Sequence, residues 1–152
     1  MRPFTLDAVL VFRKRQEDIA QHRYFEACRS HAAVSARLDA EKVLFVEVIN
    51  DRDRQQQEGV EINALLFYEE RIAYLDKTIK AMSKTLAEKA ALVSQELNNL
   101  QQKNRERQIM EKLKEQQNRA WQEHLNKKER AMFDEIAVIR HAANQEEQGR
   151  KG

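Results

Sequence analysis

The sequence predicts an all-α fold, a long antiparallel two-helix coiled-coil hairpin in which the second helix overhangs the first. Three observations carry this. The only proline of the 152 residues is Pro3, and the three glycines, Gly59, Gly149 and Gly152, leave everything from Ala64 to Ala143 free of helix breakers. Ala, Leu, Glu, Lys, Gln and Arg dominate that stretch and lose little side-chain freedom in a helix. Apolar residues on both sides of Gly59 recur in alternating steps of four and three, the period of a coiled-coil seam.

Helix 1 is expected over 5–50. Thr5 can cap it, with Phe4 stapled onto Val9. Its seam reads Leu6, Leu10, Arg13, Glu17, Ala20, Tyr24, Ala27, His31, Val34, Leu38, Glu41, Phe45 and Val48. A polar run from Asn50 through three glutamines to Gly59 buries nothing, and glycine reaches backbone angles barred to other residues, so 51–63 is read as the turn.

Helix 2 is expected over 64–143, with Asn63 as its cap and 144–152 as a flexible tail. Its seam reads Leu65, Tyr68, Ile72, Leu75, Ile79, Met82, Leu86, Ala90, Val93, Leu97 and Leu100. A chain reversal near Gly59 sets Phe45 near Tyr68 or Ile72, Val34 near Ile79 or Met82, and Leu10 near Asn104. Helix 1 is then exhausted near position 108, and the last third of helix 2 lacks a partner in its own chain. The polar Lys103–Arg107 stretch reads as a break in the heptads, after which Met110, Leu113, Gln117, Trp121, Leu125, Met132, Ile136 and Ile139 follow in irregular steps.

Composition narrows the function. Lys and Arg number 27 and Asp and Glu 25, a net charge of +2 too small and too evenly spread to make nucleic acid the main partner. Cys28 is the lone cysteine, so no internal disulfide forms and a reducing compartment is the simpler expectation. No apolar run is long enough to cross a bilayer and no signal peptide is evident, so a protein of the cytoplasm without membrane insertion is expected. Cys28 and His31 can share a helix face, but two ligands do not make a zinc site and His22 lies off that face. With so few glycines, no phosphate-cradling loop and no concave fold, the chain is read as having no enzyme activity, no catalytic residue and no metal site.

Interaction surfaces are the alternative. Between Lys103 and Arg130 basic residues outnumber acidic ones, and Trp121, Leu125, Met132, Phe133 and Ile136 have no intramolecular helix to cover them. A solvated face of i,i+4 ion pairs would explain the charges but not the apolar residues. Val11, Phe12, Phe25, Val43, Leu44, Val46 and Ile49 also fall off the seam. The valines are expected to widen the seam, and the phenylalanines and the turn-proximal cluster with Phe67 to meet a partner.

The opening Phe4, Leu6, Leu10, Arg13-Lys14, Glu17 and Ala20, then Tyr68 and Ile72 after the turn, lead to a late series. That series is Leu113-Lys114-Glu115, Lys128-Glu129-Arg130 and Asp134-Glu135-Ile136-Ala137. Together, and in order along nearly the whole chain, these resemble the flagellar type III export protein family FliJ. Arg13 and Glu17 stand where members often carry aliphatic residues, which is expected to loosen that end. The resemblance implies a coiled coil similar to the shaft of a rotary ATPase. It also implies a non-enzymatic role without cofactor, binding to the hexameric export ATPase and to the cytoplasmic linker of the export gate, and contact with export chaperones. The implied location is cytoplasmic, peripherally at the inner-membrane export apparatus, as a monomer.

Carried onto this chain, the ATPase-binding residues would be Arg13, Lys14, Arg15, Lys112, Lys114, Arg119, Trp121, Lys127, Lys128 and Arg130. The gate-binding residues would be Leu38, Phe45, Val48, Phe67, Ile72 and Leu75. Three other readings stay open: the equivalent stalk of a virulence secretion system, a self-associating coiled-coil scaffold, and, more weakly, a nucleic-acid-binding arm over Lys103–Arg130.

Overall fold

A computed structural model describes residues 6–152; Pro3, Phe4 and Thr5, and with them the expected cap and staple, lie outside the described residues. Two long helices, α1 (Asp7–Glu58) and α2 (Ile62–Arg150), pack together as an antiparallel hairpin, and α2 overhangs α1. Packing divides the chain within both helices: unit 1 comprises Met1–Lys14 and Arg105–Gly152, and unit 2 comprises Arg15–Asn104.

In unit 2 the α1 seam continues past Val48 in the same four–three rhythm onto Arg52 and Gln55, both half-buried. The Arg52 guanidinium donates to the Glu69 carboxylate at 2.9 Å, and that carboxylate together with Asp53 holds Arg52 above its ordinary pKa. Helix 1 therefore runs on to Glu58 instead of ending near Asn50, with Arg52 and Gln55 keeping the seam and Arg52 tied to Glu69 across it. The turn shrinks to Gly59, Val60 and Glu61. Gly59 takes φ +82° in the left-handed region, ending α1, and the Glu61 carbonyl accepts from the Ala64 and Leu65 amides to start α2. Glu61, not Asn63, therefore opens the second helix. Its far end also differs from the expected tail, since α2 is helical to Arg150.

The register in unit 2 does not slip. Arg52 meets Glu69, and Glu17 accepts from the Asn104 amide at 3.0 Å; from 52 to 17 on α1 and from 69 to 104 on α2 are 35 residues each, five heptads. Ala20, Ala27, Leu38, Val48 and Leu75 are buried along this seam. At one step the strict alternation lands on Lys89, half-buried, while the expected Ala90 is exposed; a lysine suits such a position, since its aliphatic stem tolerates burial while its charged end stays in water. Of the off-seam residues, Leu44 and Ile49 widen the seam, whereas Val43 and Val46 are exposed. Tyr24 lies beside Cys28, whose hydrogen bond and charge raise the phenol above its usual pKa.

In unit 1, Leu10 and Met110 form the buried cluster. Leu10 thus lies six residues further along α2 than the expected Asn104, because the turn is centred on Val60 and not on position 57, and each residue by which the centre moves shifts the pairing by two. The pairing is antiparallel here too: Arg13 binds Glu106 at 2.8 Å, and Asp7, the first residue of α1, faces Lys114 at 3.5 Å. Lys103–Arg107 is not a break but a run of polar seam positions, since Lys103, Asn104, Glu106 and Arg107 are all half-buried. The phase of α2 shifts later, where the protected positions Met110, Lys114 and Asn118 follow in two consecutive steps of four. That spacing belongs to an eleven-residue repeat, which locally unwinds a heptad coil. It displaces Leu113 and Gln117 to the exposed side.

Candidate interaction surfaces

Unit 1 presents two kinds of surface. Where α1 covers α2, charges are engaged: Arg13 on Glu106, Lys114 on Asp7 and, within α2, Arg107 on Glu111 at 2.8 Å; just past that stretch the exposed Arg119 pairs with Glu115 at 3.1 Å. Arg13 and Glu17, expected to loosen this end, hold polar seam positions instead, Arg13 through Glu106 and, in unit 2, Glu17 through Asn104. Lys14 and Lys112 are exposed, and so is Arg15 in unit 2. Trp121 is half-buried, its ring 5.6 Å from that of His124 and tilted by 33°.

Beyond Leu125 the surface changes. Every residue from Asn126 to Arg150 is exposed although the segment is helical throughout. Lys127, Lys128 and Arg130 make no ion pair among the described residues, and Met132, Phe133, Ile136, Val138 and Ile139 follow within the next three turns. Phe133 and Val138 are each 69% exposed, more than a helix of a self-sufficient domain leaves uncovered in one stretch. Val138 is the member sequence reasoning missed: it lies off the stripe of Met132, Ile136 and Ile139, and only its β-branched side chain in an otherwise good helix former's position hints at a contact.

The residues expected to face a gate separate by burial in unit 2. Leu38, Val48 and Leu75 are seam residues, 3–4% exposed, and Phe45 and Ile72 are half-buried against the facing helix. Leu38, Val48 and Leu75 offer almost no surface to a partner of the intact hairpin, because their heptad positions are those the second helix fills, whereas Phe45 and Ile72 keep part of theirs exposed. Phe67, 64% exposed, is accessible, and Ile62, Leu66 and Tyr74 are further exposed apolar residues near the turn.

Among the described residues no His, Cys, Asp or Glu cluster is arranged to hold a metal ion, and no helix is long and apolar enough to cross a membrane.

The family model of the flagellar FliJ protein matches residues 1–146, nearly the whole chain. The chain belongs to the FliJ family. As a FliJ-family member it is a stalk-like component of a type III export apparatus, and the family is non-catalytic and cytoplasmic. No curated protein matches it. Among solved structures it is similar to a protein described as a YscO homolog from Chlamydia trachomatis, with TM-score 0.62 and 15% identity over 96% of this chain and 99% of that one. At that identity the likeness supports the two-helix fold alone.

Proposed function

We propose that this FliJ-family chain is the non-enzymatic stalk of a flagellar type III export ATPase. The overhang of unit 1 engages the ATPase hexamer, and the turn-proximal surface of unit 2, around Phe67, engages the cytoplasmic linker of the export gate and holds the chain peripherally at the inner membrane. Export chaperones are further partners. The observation that supports this reading is the overhang itself. It joins Lys127, Lys128 and Arg130 to Met132, Phe133, Ile136 and Ile139 on a helix that its own chain leaves uncovered, and apolar side chains beside arginine are the usual anchors of a protein interface. No chemistry is asked of the stalk: a stiff two-helix element bound at two places transmits position between them.

The purified chain is expected to bind the hexameric export ATPase and raise its hydrolysis rate. Trp121→Ala and the double charge reversal Lys127→Glu/Lys128→Glu are expected to weaken both; the charge reversal is the cleaner of the two, because both lysines are exposed while Trp121 is half-buried. Unchanged binding and stimulation by the charge-reversed chain would rule out the overhang as the ATPase-facing element.

A further inference from the structure

The face of α2 that α1 covers in unit 1 does not stop where α1 stops. Asp7 faces Lys114, and beyond it the protected positions Asn118, Trp121 and Leu125 lead in steps of three and four into Glu129, Met132, Ile136, Ile139 and Ala143. These last five have the a and d spacing of a coiled coil. Met132, Ile136 and Ile139 are 63%, 43% and 61% exposed, so the stripe continues an interface that none of the described residues covers.

We propose that this stripe is covered by the same stripe of a second copy, packed antiparallel, so that two overhangs form a short coiled coil about a twofold axis near Asp134. Continuity with the hairpin interface supports it: the second overhang takes the line that α1 holds nearer the hairpin, whereas a parallel partner would bring its own α1 onto that line. Layer matching supports it as well. With Met132 on the partner's Ile136, Leu125 falls on the partner's Ala143, a large side chain on a small one. In the same register Glu129 lies beside the partner's Ile139 and Arg140; parallel pairing would set Glu129 against its own copy, like charge on like charge. The contact is isologous, each stripe serving as its own complement.

Fewer than three heptads are joined, so association is weak and reversible. The inference goes beyond the stalk reading and does not depend on it: a paired overhang is one withheld from the ATPase.

Sedimentation velocity of the full chain from about 10 µM to about 1 mM tests the idea, with a concentration-dependent shift from monomer to dimer expected. Ile136→Asp is expected to weaken dimerisation at least tenfold at unchanged helicity by circular dichroism. In a Cys28→Ser background, an equimolar mixture of Met132→Cys and Ile136→Cys chains is expected to oxidise mainly to the mixed disulfide. A monomer throughout the range, a dimer indifferent to Ile136→Asp, or faster oxidation of Ile136→Cys with itself would each overturn the proposal. None of these readouts involves the ATPase, so their failure leaves the stalk reading standing.

Discussion

Leu10→Ala isolates what holds the start of α1 onto α2. In unit 1, α1 contributes only Asp7–Lys14, and Leu10 is its one buried side chain, 4% exposed and packed on Met110. Truncation of a buried leucine costs about 3 kcal/mol, transfer and cavity together. The Arg13–Glu106 ion pair, about a third and a quarter exposed at its two ends, contributes roughly 0.5–1 kcal/mol, and the exposed 3.5 Å Asp7–Lys114 pair close to nothing. Removing Leu10 therefore takes away most of what opposes local opening of this end.

The α2 segment beneath would then be a single helix, marginal in water. Hydrogen exchange followed by mass spectrometry is expected to show amides of 105–114 exchanging about a hundredfold faster, the conversion of roughly 3 kcal/mol in local opening, with 65–104 little changed. Unchanged exchange at 105–114, or equal acceleration along 65–104, would refute the reasoning. The first outcome would mean that Leu10 does not hold this end, the second that the end does not open on its own.

Two other outcomes are expected. Gly59→Ala is expected to cost about 1–2 kcal/mol in urea unfolding, because φ +82° disfavours any side chain while a Cβ there would touch nothing; a cost near zero would mean that the turn relaxes to another conformation. A double-mutant cycle of Arg13→Ala and Glu106→Ala is expected to give a coupling of roughly 0.5–1 kcal/mol that shrinks with added salt; a salt-independent coupling would show that the pair acts through packing.

The two-helix architecture was legible because heptad spacing is a property of the sequence itself: every seam position named on α1 from Leu10 to Val48 is protected in the fold. What was not legible depended on pairing. Polar character at 51–58 reads as a turn until Glu69 is placed opposite Arg52, and Lys103–Arg107 reads as a break until Glu17 and Arg13 are found to supply partners for Asn104 and Glu106. A polar residue in a seam and a polar residue in a loop look alike from one strand of the pair. The surfaces divided in the same way. Uncovered apolar residues on the overhang could be inferred from a difference in helix length, whereas near the turn Leu38, Val48 and Leu75 stood out for the periodicity that buries them. Phe67, outside that periodicity, is the one of the group left exposed.

The matched 35-residue spans of unit 2 set a rule for length change. With only Gly59, Val60 and Glu61 between the helices there is no slack to absorb an insertion, so one residue added to a single arm rotates its following seam by about 100° and turns apolar side chains outward. Seven residues removed from one arm alone would keep the faces aligned but slide every later layer by a heptad, pulling Glu17 away from Asn104. Only equal heptads, gained or lost on both arms at once, leave the pairing intact. Relatives of different length should therefore differ by matched insertions on the two sides of the turn.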